Sequence, residues 1–296
     1  MRISVLTPTY NRGKLLNRLY YSLVKNLKFG IEIEWLIMDD GSTDQTERLV
    51  NEFKEKKIKN LKIRYFKQEN YGKMIAINNL IQYVTGEYMI DCDSDDYFTD
   101  NAFKYMKEKI ESLKEEKNIY GLCFLKFDTK GQNIGKAFTK KRTTLFDLHF
   151  KEDDQGERAI LFVSSIRKQY KHKLENDENF ITEARMYYEM DEKAELLCFN
   201  LPIMICEYQE SGYTKNLEKQ FKENPKGYFK FFQEILGRNM KGVLWEKRMY
   251  AIKHYILFAT LTNQKHILKS IKGITNKFLI VFLYIPGKVM TKKRFC

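Results

Sequence analysis

Proline is scarce in this sequence, 4 in 296 residues, and that shortage argues against long disordered linkers. Cysteine is scarce too. Cys92, Cys123, Cys198, Cys206 and Cys296 are odd in number, widely spaced and never arranged as C-x-x-C. A disulfide framework and a zinc site are therefore both disfavoured, and a reducing cytosol is the expected setting. Long apolar runs are missing as well: the longest, Phe278 to Ile285, falls far short of the ~20 residues a membrane-spanning helix needs. The opening MRISVLTPTY meets polar and turn residues before an apolar signal core forms, so no secretory signal peptide is expected.

What is present describes a folded, basic chain. Apolar residues make up 43% and charged residues 31%, an ordinary balance for a soluble protein. The length suggests one large domain or one domain with an appendage, at ~100–200 residues per domain. Lys and Arg outnumber Asp and Glu by 52 to 39, a net charge of +13. Such a field favours phosphates, nucleic acid or an anionic membrane surface, and local pattern must separate the three.

The β-branched run from Ile3 to Thr7 reads as a buried strand ended by Pro8, and Leu15, Leu16, Leu19, Leu23 and Leu27 recur at helical spacing after it. IEIEWLIMDD is a second strand. STDQTERLVNEFKEK is a helix that Ser42 or Thr43 is expected to cap. LKIRYF, the helix GKMIAINNLIQYV and the strand EYMID continue the alternation, which means crossover connections and a mostly parallel sheet. The polar clusters TPTYNR, DDGSTD, QENYGK and DCDSDD each follow one of these strands. Ligands of such sheets bind at the strands' carboxyl ends, so the four clusters point to one shared site. A helix TDNAFKYMKEKIESLKEEK and a strand YGLCFLKF follow, then an irregular, charge-rich section to about Asn179. AELLCFNLPIMICEYQ reads as two short strands meeting about Asn200-Leu201, and helices rich in aromatic and basic residues follow Lys215.

The segment YMIDCDSDDYF gathers Asp91, Asp93, Asp95 and Asp96. Side chains two apart share a face in extended backbone, so Asp91, Asp93 and Asp95 converge if the strand continues that far. Like charges that close raise one another's protonation unless a cation is present. Oxygen-only ligation suits a hard divalent ion. A calcium loop is excluded, because Asp96 stands where that motif needs Gly and Ala102 where it needs Glu. A solvated acidic turn with an aspartate helix cap is the plainer alternative.

TPTYNR, DDGSTD, ENYGKMIAIN and GEYMIDCDSDDYF, in that order, resemble the family 2 glycosyltransferases of the nucleotide-sugar-binding fold called GT-A. The resemblance is close over residues 2 to about 100 and looser to about 215, where ITEARMYYEMDEKAELLCFNLPIMICEYQESGYTKN is similar to the acceptor-side half of bacterial members. It implies an α/β fold, a Rossmann-like, mostly parallel sheet flanked by helices, over residues 1–214. Residues 1–100 would be the nucleotide-sugar-binding half and 101–214 the acceptor-side half; the change of texture after Lys215 places a boundary near Thr214 and makes 215–296 a helical basic extension.

The resemblance also implies roles. Thr7, Pro8, Thr9, Tyr10 and Arg12 match the loop that cradles the base and diphosphate, Asp39 the acid that reads the base edge, and Asp40, with Gly41 and Ser42, shapes that loop. Lys73 and Asn78 fall where the nucleotide pocket is lined. The D-x-D motif falls on Asp93-Ser94-Asp95: Asp93 near ribose and diphosphate, Asp95 as the direct ligand of Mn²⁺ or Mg²⁺, with Asp96 in support. Asp91 stands where relatives carry an apolar residue and receives no role. The catalytic base falls best on Glu183, with Asp177, Glu178 and Asp191 as neighbouring competitors. Such chemistry needs charge stabilisation on departing phosphates and a base for the acceptor hydroxyl. Inversion at the sugar carbon, a UDP-sugar donor ahead of GDP or dTDP, and a surface glycan or lipid-linked acceptor are implied by the same resemblance.

The tail NKFLIVFLYIPGKVMTKKRF joins an apolar run to Lys288, Lys292, Lys293 and Arg294. That pairing is expected to attach the protein peripherally at the inner face of the cell membrane, against the plainer reading of a last helix packed on the domain. No nucleic-acid-binding module is visible. A nucleotidyltransferase would carry a Gly-rich, Arg-containing loop after the first strand, and a dehydrogenase G-x-G-x-x-G; TPTYNRGK is neither. A catalytically inactive nucleotide-sugar-binding or membrane-associated scaffold is the alternative.

Overall fold

The computed structural model describes residues 1–175, 177–207, 209 and 216–295. In chain order its elements are β1 (Arg2–Thr9), α1 (Gly13–Asn26), β2 (Glu32–Asp39), α2 (Thr46–Glu55), β3 (Leu61–Lys67), α3 (Lys73–Ile81), β4 (Tyr88–Asp91), β5 (Tyr97–Phe98), α4 (Ala102–Ile110), β6 (Ile119–Asp128) and β7 (Arg142–Thr143). There follow α5 (Leu145–Phe150), β8 (Arg158–Val163), α6 (Ser164–Arg167), α7 (Ala184–Asp191), β9 (Glu195–Cys206), α8 (Leu217–Glu223), α9 (Pro225–Leu236), α10 (Trp245–Leu261) and α11 (Ile274–Phe295). The chain divides into two compact units, one of residues 1–145, 155–172 and 186–209, the other of 146–154, 173–185 and 210–296. The boundary expected near Thr214 lies outside the described residues.

The first unit is built on a nine-stranded sheet of order β3-β2-β1-β4-β8-β6-β9-β5, with β7 on β9. β3, β2, β1 and β4 pair in parallel, as the strand and helix alternation requires. β1 and β2 are buried along nearly their whole length, which explains why both read as continuous apolar runs and not as alternating ones. Leu16, Leu19, Tyr20 and Leu23 turn one face of α1 onto this sheet. Tyr20 stacks on Phe53 of α2 with ring centroids 4.1 Å apart, and Trp35 of β2 lies beside both. Such ring contacts add about 0.5–1.5 kcal/mol each beyond burial.

Three local expectations change. The charge-rich middle hides β8, a buried strand antiparallel to both β4 and β6. The two short strands about Asn200-Leu201 are one strand, β9. Phe199 pairs with Phe124 and Pro202 with Leu125, so Asn200 and Leu201 form a bulge. Asn200 makes that bulge affordable in hydrogen bonds: its amide accepts from Phe138 N (2.7 Å) and donates to Phe138 O (3.0 Å). Finally, α2 is not capped by Ser42 or Thr43. It begins at Thr46, whose N–H donates to Asp44 Oδ1 at 3.0 Å, while Ser42 Oγ accepts from Asn11 N at 2.8 Å.

The second unit is helical around an aromatic cluster in which Phe258 of α10 meets Phe221 at 5.1 Å and Tyr228 at 5.2 Å. Pro225 opens α9, where its missing N–H costs nothing. Glu178 accepts from the N–H groups of Lys226 and Gly227, 2.6 Å each, placing negative charge at the positive end of that helix. Among the described residues no helix is long and apolar enough to cross a membrane.

Candidate active site

Register sets the site. Thr9 of β1 lies beside Asp39 of β2, Asp39 beside Lys67 of β3, and Leu6 beside Asp91 of β4, so four carboxyl ends open at one edge. The loops leaving those ends are tied to one another. Asn11, held at φ 51°, accepts from Thr43 N (2.8 Å) and Asp44 N (3.3 Å), joining the first loop to the second. Asp40 joins the second to the third: Oδ1 accepts from Gln68 Nε2 (2.7 Å) and Tyr71 N (2.9 Å), and Oδ2 from Gly72 N (2.8 Å). Gly72 sits at φ 92°, where a side chain would be strained. One continuous rim results.

The acidic segment completes it, by a turn and not by strand continuation. β4 stops at Asp91, and Asp96 N donates to Asp93 O at 3.0 Å. Burial still alternates, with Asp91, Asp93 and Asp95 half-buried and Cys92, Ser94 and Asp96 buried. Each aspartate faces its own cation. Asp91 lies 3.9 Å from Arg167, Asp93 2.7 Å from Lys73 Nζ, Asp95 2.8 Å from Arg12 Nη1, and Asp96 3.0 Å from Lys126 Nζ. Arg12 precedes α1 and Lys73 opens α3, so loops one and three reach across to loop four.

The remaining expected residues divide. Thr7 is fully buried, its Oγ1 accepting from Trp35 Nε1 at 3.0 Å, which ties it to the core. Pro8 is buried and Tyr10 is half exposed at the rim. Thr9 Oγ1 is buried with no hydrogen-bond partner among the described residues, an unmet polar atom at the strand's carboxyl end of the kind a ligand satisfies. Asp39 accepts from Ser42 N (2.6 Å) and Tyr65 Oη (2.5 Å), and burial together with that bond pushes the Tyr65 phenol up. Asn78 clasps the backbone of His172 from both ends of its amide, 2.9 Å each way. Glu183 belongs to the second unit, half-buried just before α7. Of its competitors, Glu178 is engaged at α9, and Asp191 accepts from Tyr120 Oη at 2.9 Å.

Residues 4–181 match the model of the family described as glycosyl transferase family 2. The chain belongs to that family. Uncharacterized glycosyltransferase MG060 of Mycoplasma genitalium is 32% identical over 131 residues, 43% of this chain and 44% of that protein. TarS of Staphylococcus aureus, a poly(ribitol-phosphate) beta-N-acetylglucosaminyltransferase, is 35% identical over 104 residues, 35% of this chain and 18% of TarS. The matches thus span less than half the length of these curated relatives. The crystal structure of TarS residues 1–349 with UDP-GlcNAc superposes with a TM-score of 0.61 at 20% identity, covering 98% of this chain and 79% of that one. Mannosyltransferase PcManGT of Pyrobaculum calidifontis, in complex with GDP-Man and Mn²⁺, gives 0.54 at 14% identity over 98% and 83%. These likenesses show the GT-A fold that the strand-end motifs implied.

Within this family member two acidic groups compete for the description of a metal site. Asp96, Glu157 and Cys206 come within ligand distance of one another, but Lys126 Nζ already lies 3.0 Å from Asp96 and 3.4 Å from Glu157. An ammonium there supplies the cation. Burial pushes the Asp96 carboxyl up to about 6 against the pull of Lys126, and the Lys126 ammonium is held charged by Asp96 despite its burial. Asp93 and Asp95 are paired as well, with Lys73 and Arg12, but they are less buried than Asp96 and bring no thiol, so the pair offers a hard divalent ion carboxylate oxygen alone. Asp95 is pushed up by burial and then by Asp93's charge, a conflict that added positive charge relieves.

Sequence reasoning missed Lys126, Arg18 and Asn11. Arg18 of α1 pairs with Glu207, reaches Asp95 O at 3.4 Å and stacks over Tyr97 at 5.2 Å. Lys126 carried a legible signal, a lysine inside the apolar strand YGLCFLKF, since a buried ammonium needs a carboxylate partner.

Proposed function

We propose that this glycosyltransferase moves a sugar from a nucleotide diphosphate donor, a UDP-sugar first, to a hydroxyl of a glycan or lipid-linked acceptor in surface polysaccharide synthesis. The carrying observation is the turn at Asp93 and Asp95, half-buried at the mouth and faced by Lys73 and Arg12 from two other loops. Support for UDP comes from TarS, seen with UDP-GlcNAc, and for a polymeric acceptor from the poly(ribitol-phosphate) in its name.

In the reaction an acceptor oxygen forms a bond to the sugar's anomeric carbon as the bond from that carbon to the diphosphate oxygen breaks, with inversion. The nucleoside diphosphate leaves with the bonding electrons. Arg12 and Lys73 hold positive charge beside the turn where that negative charge gathers. Thr9 Oγ1 offers a hydroxyl with no partner among the described residues, and the fully buried Asp39, its two oxygens held by Ser42 and Tyr65, fixes the loop that would meet the base. Asp93 and Asp95 would hold Mn²⁺ or Mg²⁺, which when bound neutralises charge on the departing diphosphate. The resemblance assigns the acceptor's proton to Glu183. Glu183→Gln retaining full transfer would remove that assignment.

Nucleotide release from a panel of UDP-, GDP- and dTDP-sugars, with and without Mn²⁺, tests the reading in wild type and Asp95→Asn. Slow metal-dependent hydrolysis of one donor, lost in the variant, is expected. Binding without turnover in every case would leave a nucleotide-sugar-binding protein instead.

A further inference from the structure

The last helix of the second unit has two unlike faces. Asn276, Ile280 and Thr291 of α11 are buried, and Gly287 meets α10 so closely that a Cβ would lie 2.8 Å from Ile256 Cγ2. At 3.6 residues per turn these four positions share one side. On the opposite side Ile274 (88% exposed), Phe278 (69%), Phe282 (69%) and Ile285 (74%) stand bare, with Val281 and Val289 between and beyond them. Their spacing makes one stripe about 100° wide. Single exposed apolar residues need no explanation, but a contiguous stripe marks an interaction surface.

Charge decides what covers it. Residues 247–296 carry eleven Lys and Arg and no Asp or Glu. Lys277 and Lys288 are exposed along one edge of the stripe. A second copy of this chain would bring an equally cationic face against the first, which like-charge repulsion opposes. No described helix is apolar enough to cross a bilayer. We propose that α11 lies in the plane of an anionic lipid surface, its Ile274–Val289 stripe among acyl chains and its lysines at headgroup phosphates. This inference stands independently of the sugar-transfer reading, since no residue of the acidic turn enters it.

Flotation of the full chain with vesicles tests it, comparing phosphatidylcholine alone with phosphatidylcholine containing about a third phosphatidylglycerol. Wild type should float with the anionic vesicles and be released as salt rises. Phe282→Ser with Ile285→Ser, both already solvent-exposed, should lower partitioning about tenfold or more, and Lys277→Glu with Lys288→Glu should remove the preference for anionic lipid. Failure of wild type to float, or equal flotation of the Phe282→Ser, Ile285→Ser protein, overturns the proposal. So does a concentration-dependent dimer in sedimentation that those serines dissociate, which would seat a second copy on the stripe. Donor hydrolysis measured on the same preparations keeps these outcomes separate from the fate of the catalytic reading.

Discussion

Asp95 and Asp96 are consecutive residues in opposite circumstances. Asp95 sits half-buried at the mouth with Arg12 as partner, while Asp96 is sealed behind it with Lys126 and the Cys206 thiol, 3.2 Å from its carboxylate, and the more exposed Glu157 shares the same ammonium. The cations come from different places: Arg12 belongs to a loop beside the ligand edge, Lys126 to the interior strand β6. One residue type therefore serves two purposes within a single turn. On the proposed reading the mouth pairs exchange for ligand charge, while the bond from Lys126 to Asp96 ties the turn to β6.

Breaking the sealed side should have the largest effect on stability. Lys126→Met leaves the buried Asp96 without its ammonium, and urea denaturation should show a loss of about 3–5 kcal/mol, the cost of breaking a buried pair from one side. Breaking the mouth should act on turnover instead. Asp95→Asn is expected to lower donor hydrolysis by about 10²–10³-fold and stability by less than about 1 kcal/mol, as for a partly exposed pair. Lys73→Gln should weaken donor binding by about 1.5–3 kcal/mol, the range for hydrogen bonds to charged groups, and calorimetric titration reads it directly. The smallest effect is on pH dependence. Asp96 is raised in the folded protein to about 6 from 3.8, so its contribution to stability is complete below the unfolded value and drains away as pH rises through the folded one. Wild type should lose about 1–2 kcal/mol from this group between about pH 4.5 and 6.5, a decline absent from Asp96→Asn.

The same contrast marks what the sequence made legible. Strands β1 to β4 announced themselves because buried parallel strands are apolar throughout and their loops carry the ligand chemistry. Asp93 and Asp95 stood out as a cluster at a strand end, and Arg12 and Lys73 were matched through the family resemblance; the structure sets the four together by a turn, where convergence was expected only if the strand continued. β8 was missed because its apolar run, Ala159–Val163, is only five residues long and stands in a section otherwise rich in charge. Lys126 pairs with Glu157 across 31 positions of sequence, and no local pattern encodes such a partnership. The bulge at Asn200 was legible as an interruption, and only the pairing of Phe199 and Pro202 with consecutive residues of β6 shows it to be one strand.

Calorimetric titration of UDP into wild type and Asp95→Asn, each with and without Mn²⁺, tests the central claim most directly. The account predicts that Mn²⁺ tightens UDP binding to wild type and leaves binding to Asp95→Asn unchanged, with the variant still folded and its stability within about 1 kcal/mol of wild type. Equal tightening in the two proteins would contradict it, because the cation would then be held without the Asp93 and Asp95 turn.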